Sequence, residues 1–144
     1  MTEAAPQEFW QSVEEFNNRE YYACHDTLEA LWMESAEPEK KFYQGVLQIA
    51  VALYHLGNRN WRGAVTLLGE GIKKLRYYQP TYVDIDVDQL VEQSDQLLSA
   101  LQQAGAEKIA EFVQHFETTD TYPGGDTTLQ VPKIVKKYFP VIGK

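Results

Sequence analysis

The stretch Phe42-Tyr43-Gln44-Gly45-Val46-Leu47-Gln48-Ile49-Ala50-Val51-Ala52-Leu53-Tyr54-His55-Leu56 decides the fold. Apolar side chains at Phe42, Tyr43, Val46, Leu47, Ile49, Ala50, Val51, Leu53, Tyr54 and Leu56 leave a helix through it almost no polar face. Such a helix must be covered by neighbours on most sides, which predicts a central element of an all-α domain. Pro38 and Glu39 open it, and Gly57 with Asn58 closes it. The run is too short to span a bilayer, and Gln48 and His55 interrupt it.

Flanking helices follow from periodicity and end signals. Pro6 suits a first helical position, and Phe9, Trp10, Val13 and Phe16 recur at near-helical spacing, so a first helix ends near Asn17. Asn17 with Glu20 has the form of a capping box, opening a second helix that runs to about Glu34. A fourth runs from about Asn60 to Tyr78, stopped by Pro80. Gln79 to Asp84 reads as a loop, Asp86 with Gln89 caps a fifth helix ending at Gly105, and Glu107 to Phe116 forms a sixth. Thr118 to Asp126 is rich in Thr, Gly and Pro, with a turn expected at Pro123 to Asp126. Leu129, Val131, Pro132 and Ile134, then Tyr138 and Phe139, predict an extended arm laid over the helices. The expected architecture is a compact antiparallel bundle of about six helices, with residues 1–117 as one domain and 118–144 as the arm. Gly45, Gly63, Gly69 and Gly71 each cost about 1 kcal/mol relative to Ala inside a helix, which close helix approach would offset.

Composition narrows the function classes. With 144 residues, 44% hydrophobic and 24% charged, the chain has apolar matter for a single core. A formal charge of −8 argues against a nucleic-acid partner, since phosphate binding needs clustered Lys and Arg. No secretory signal is readable at Met1 to Gln7, and nothing indicates a membrane partner. Cys24 is the only cysteine, so no intrachain disulfide forms, which fits a cytoplasmic location. Adjacent helical residues point about 100° apart, so Cys24 beside His25 reads as a packed thiol rather than a nucleophile pair. The aromatic content and apolar arm are compatible with a homodimer.

The candidate site is a set of polar residues inside apolar stripes. His25, Glu29 and Trp32 share one stripe of the second helix, and Gln44, Gln48 and His55 share one of the third; Asp26 lies beside them. Both stripes are expected to face inward. Antiparallel pairing would set Glu29 beside Gln44 and His25 beside Gln48, with His55 roughly 10 Å further along. Three readings stay open: a buried network fixing helix register, a small-ligand or catalytic pocket using His25 and Glu29, and a metal site. The His-x-x-x-Glu spacing is neither the zincin motif nor that of di-iron bundles, and no resident metal is expected. The residues imply no particular cofactor, and the partner class is an unidentified protein or small molecule.

The stretch Phe16-Asn17-Asn18-Arg19-Glu20-Tyr21-Tyr22-Ala23-Cys24-His25-Asp26-Thr27-Leu28-Glu29-Ala30-Leu31-Trp32 resembles the signature of domain-of-unknown-function family 309. Gln44-Gly45 with Gln48, Asn60 followed by Gly63-Ala64, and Pro80, Tyr82, Ile85, Asp86 and Leu90 extend the likeness over about Phe9 to Leu101. The family more often has Glu where this chain has Asp26, one methylene shorter. The resemblance implies a compact all-α fold and no assigned biochemistry. A binding or scaffold module is therefore the leading expectation, with a small hydrolase-like or metal-dependent enzyme as the alternative.

Overall fold

The computed structural model describes residues 5–119, 121–124 and 127–137. Six α-helices dominate: α1 (Gln7–Asn17), α2 (Tyr21–Glu34), α3 (Glu39–Gly57), α4 (Trp61–Leu75), α5 (Val87–Ala104) and α6 (Ile109–Thr118). Short 3-10 turns at Arg76–Tyr78 and Ala106–Lys108 follow α4 and precede α6. The strands are small: β1 (Thr81–Tyr82) pairs antiparallel with β2 (Ile85–Asp86), and β3 (Thr121–Gly124) with β4 (Thr127–Gln130). No helix among the described residues is long and apolar enough to cross a membrane.

The all-α class holds, and α3 is its centre. It buries nine of its 19 residues, more than any other helix, and packs between α2 and α4. Glycines make the α3–α4 contact close. A Cβ on Gly71 would lie 2.9 Å from the Gly45 carbonyl oxygen and 2.7 Å from Ile49, so the backbones meet where a side chain has no room. Gly69 meets nothing within 4 Å, so packing does not explain it. The α5 cap forms as the sequence indicates, with Asp86 Oδ1 accepting from the Gln89 amide at 2.9 Å, and Asn60 caps α4 in the same way, its Oδ1 accepting from the Gly63 amide at 2.9 Å.

Two segments differ from the sequence reading. The expected loop before α5 folds into the β1–β2 hairpin, turning through Val83 and Asp84, both at positive φ (42° and 64°). The expected extended stretch after α6 begins as the β3–β4 hairpin; Asp126 and residues 138–144, including Tyr138 and Phe139, lie outside the described residues. Residues 131–137 lie against the helical body and the β1–β2 hairpin. Lys136 bridges Ile85, the Asp86 amide donates to the Val135 carbonyl at 2.8 Å, and the Lys137 amide donates to the Asp84 carbonyl at 2.9 Å. Val131 and Ile134 are buried, and the Lys136 ammonium sits 4.6 Å from the Trp10 ring centre.

An aromatic cluster joins α3 to the β1 hairpin. The Tyr82 hydroxyl donates to Glu39 Oε2 at 3.1 Å. Burial first, then that bond and the Glu39 charge, push the Tyr82 phenol from 10.0 up to about 12, and Tyr43 and Tyr78 move the same way. The folded state therefore holds this proton more tightly than the unfolded chain does. Its contribution to stability is fully present below the ordinary phenol range and is lost as pH rises through about 12. Urea midpoints should fall over that alkaline window, and more shallowly in Tyr82→Phe. Identical slopes in the two proteins would show that Tyr82 does not carry the effect.

Candidate functional site

Helix α2 faces the core with Tyr21, Cys24, Leu28 and Leu31. The stripe of His25, Glu29 and Trp32 runs one residue behind Cys24, Leu28 and Leu31, about 100° around the helix, so it lies on the flank. The inward orientation expected for it does not hold. The side chains of His25, Asp26 and Glu29 are 28%, 63% and 51% exposed. Carboxylates flank both His25 ring nitrogens: Asp26 Oδ1 is 3.1 Å from Nδ1 and Glu29 Oε2 is 4.0 Å from Nε2. Trp32 is half-buried under the Lys40 ammonium, 4.4 Å from its ring centre, and Lys40 also donates to the Trp32 carbonyl at 2.9 Å.

Gln44 and Gln48 are half-buried on α3, and the buried Gln48 Oε1 has no hydrogen-bond partner. Among the described residues, no hydrogen bond links Glu29 to Gln44 or His25 to Gln48. With more than half its side chain in water, Glu29 leaves no buried donor orphaned when removed. Glu29→Ala and Glu29→Gln should each change stability by less than about 0.5 kcal/mol in chemical denaturation. A loss of 1 kcal/mol or more, on the order expected for a buried network, would contradict this placement.

The structure brings His25 and His55 to one cavity of about 190 Å³ between the start of α2 and the end of α3. Its walls are Tyr21, Tyr22, His25, Val51, Tyr54 and His55. Helical side chains lean toward their own N-terminus, and in this antiparallel pair the two leans point at each other. Contacts at both ends establish that direction: Tyr22 meets Tyr54 at 5.3 Å, while Trp32 meets Lys40. His55 is seated by the next helix. Its ring packs where a Cβ on Gly63 would come within 2.8 Å, and Asn60 Nδ2 lies 3.3 Å from Nδ1. Because Asn60 Oδ1 already accepts from Gly63, Nδ2 is left to donate to Nδ1, which places the proton of the neutral ring on Nε2.

A tyrosine beside an apolar stripe is ordinarily core, yet Tyr22 and Tyr54 are 59% and 38% exposed and form the cavity's open walls. The available signal was their position, three residues before His25 and one before His55. A larger cleft of about 530 Å³ opens near the start of α5 between Arg76, Asp86, Asp95 and Lys137. Its two cations already pair, Arg76 with Asp95 at 3.8 Å and Lys137 with Asp86 at 3.9 Å. Cys24 is fully buried, and desolvation, reinforced by Glu15, pushes its thiol well above the usual range. It should resist a thiol-specific disulfide reagent in the native protein and react fully in denaturant; rapid native labelling would refute the packed-thiol assignment.

The chain is thus an all-α protein with an aromatic cavity between two antiparallel helices. Residues 9–67 match the family described as Domain of unknown function (DUF309), covering α1 to the middle of α4 and every candidate site residue. The uncharacterized protein YpuF of Bacillus subtilis (strain 168) is similar, with 35% identity over 77 residues, 53% of this chain. The match spans 44% of that relative's length. Neither description names an activity.

Proposed function

We propose that this protein is a binding module whose site is the cavity between α2 and α3. The observation that carries this reading is the pair of solvent-exposed tyrosine faces, Tyr22 and Tyr54, meeting over a concave surface with His25 and His55 at its sides. Exposed aromatic rings in a hollow supply contact area at low entropic cost, which favours recognition over catalysis. His25 lines the cavity, with the Asp26 and Glu29 carboxylates behind its ring nitrogens, while Trp32, Gln44 and Gln48 support the helix flank. The lone buried thiol fits a reducing, cytoplasmic setting.

A fragment screen followed by two-dimensional amide NMR tests the proposal. Shifts should concentrate on residues 21–25 and 51–55 and disappear in Tyr54→Ala. Hits that spread elsewhere, or survive that substitution, would reject it. A second reading, a metal-dependent enzyme, draws on one observation: His25, Asp26 and Glu29 offer ligand atoms within 4.8 Å of one another. Zinc favours at least three protein ligands, so calorimetry should detect binding lost in His25→Ala if this reading holds. No heat at submillimolar metal would dismiss it.

A further inference from the structure

We infer that the ligand of this cavity carries a methylated ammonium group, an inference that rests on the binding reading above and names its ligand class. His25, Tyr22, Tyr54 and His55 form a continuous chain of rings, with successive centres 5.9, 5.3 and 6.1 Å apart. The two tyrosine rings are inclined at 59°, so they bound the space as walls rather than stacking shut. A ring face carries negative quadrupole charge and attracts a cation without forming a hydrogen bond.

The charges around the cavity favour the same ligand. No Lys or Arg lines it, so an anionic ligand would find no counter-charge there. The Asp26 and Glu29 carboxylates lie at the two nitrogens of His25, one imidazole from the space, and the chain's net charge of −8 adds a favourable field. A bare metal ion or a primary ammonium would need oxygen or nitrogen donors in place of its water shell. A quaternary ammonium is weakly hydrated and asks only for polarizable walls and nearby negative charge. At about 190 Å³ the cavity is below the usual range for drug-sized ligands and suits one compact head group.

The test compares choline with 3,3-dimethylbutan-1-ol, a neutral molecule of the same shape. Both are titrated into the full chain and followed at the amides of residues 21–25 and 51–55. Choline should bind in the millimolar range, and the neutral isostere on the order of tenfold more weakly. Tyr22→Leu and Tyr54→Leu keep apolar bulk but remove the ring face; each should weaken choline several-fold and leave the isostere unchanged. Both positions are exposed, and unchanged amide spectra outside the cavity will confirm that the fold is intact. Asp26→Asn with Glu29→Gln should weaken choline and flatten its dependence on salt.

Equal affinity for the two probes would overturn the cation inference while leaving a binding cavity in place. Silence from both probes, with a fragment of another class shifting the same residues, would do the same. Silence from both probes and from every fragment would remove the binding reading as well.

Discussion

Truncating Phe42 to alanine is expected to lower stability by about 3 to 5 kcal/mol, toward the upper end of that range. Phe42 is fully buried, with its ring centre 5.8 Å from Phe9, 6.0 Å from Tyr43, 5.3 Å from Tyr78 and 4.8 Å from Tyr82. Phe9 belongs to α1, and Tyr78 and Tyr82 to the turn after α4 and to β1, so this one side chain of α3 joins two stretches that are each more than 30 residues away in sequence. The cost of a cavity depends on how far its walls can collapse, and here two walls are tethered. The Tyr78 hydroxyl donates to the Pro38 carbonyl at 2.7 Å, and the Tyr82 hydroxyl donates to Glu39. Phe42→Leu keeps much of the volume and should cost about 1 to 2 kcal/mol. Urea denaturation will read both, with the slope unchanged if the unfolded states are alike. A loss below about 1.5 kcal/mol for the alanine variant would mean that the cluster relaxes freely and that Phe42 is not its hub.

The helices were legible because periodicity and end signals agreed. Residues 42–56 could only be central, and Asn60 and Asp86 cap the helices they precede. The β1–β2 hairpin was not legible, because its turn places Val83 at φ 42°. A β-branched residue is a poor choice for positive φ, so propensity pointed to a loop, and only the pairing with residues 135–137 reveals the hairpin's support. The site was half legible. Polar residues in apolar stripes marked the two helices that line the candidate cavity, but the phase was one residue off on α2: Cys24, Leu28 and Leu31 face the core, and the polar residues flank them. Residue counting also separated His25 from His55, because it follows Cα positions and not the direction in which side chains lean. Tyr22 and Tyr54 were hidden by a sound prior, since a tyrosine next to an apolar stripe is ordinarily core.

Replacing Asn17 by alanine is expected to cost about 2 to 4 kcal/mol and to loosen residues 131–137 before the helices. The Asn17–Glu20 spacing suggested a cap for α2, but the α2 N-terminus has no side-chain cap, and the Asn17 amide is turned to the opposite chain segment. Its Nδ2 donates to the Ile134 carbonyl at 2.8 Å, and its Oδ1 accepts from the Ile134 amide at 2.8 Å. Both polar groups of one residue are thereby satisfied by a single side chain, which lets Ile134 be buried at 3% exposure. Alanine would leave that amide and carbonyl unpaired, and exposing Ile134 to water would relieve them only by giving up its apolar contacts. Asn17→Asp tests the direction of the bonds. Its carboxylate can still accept from the Ile134 amide but faces the Ile134 carbonyl with no donor, so it should fall between wild type and alanine. Hydrogen exchange locates the loss: the Ile134, Asp86 and Lys137 amides should exchange faster, while those of α3 follow only the global change. Two bonds at Lys133 do not use the Asn17 side chain, the ammonium to the Asn17 main-chain carbonyl at 2.8 Å and the amide to Gln93 Oε1 at 3.0 Å, so the opening should remain local in either variant. Unchanged exchange at Asp86 and Lys137, with an unchanged urea midpoint, would show that the apolar contacts of Val131 and Ile134 hold the segment without the Asn17 clamp.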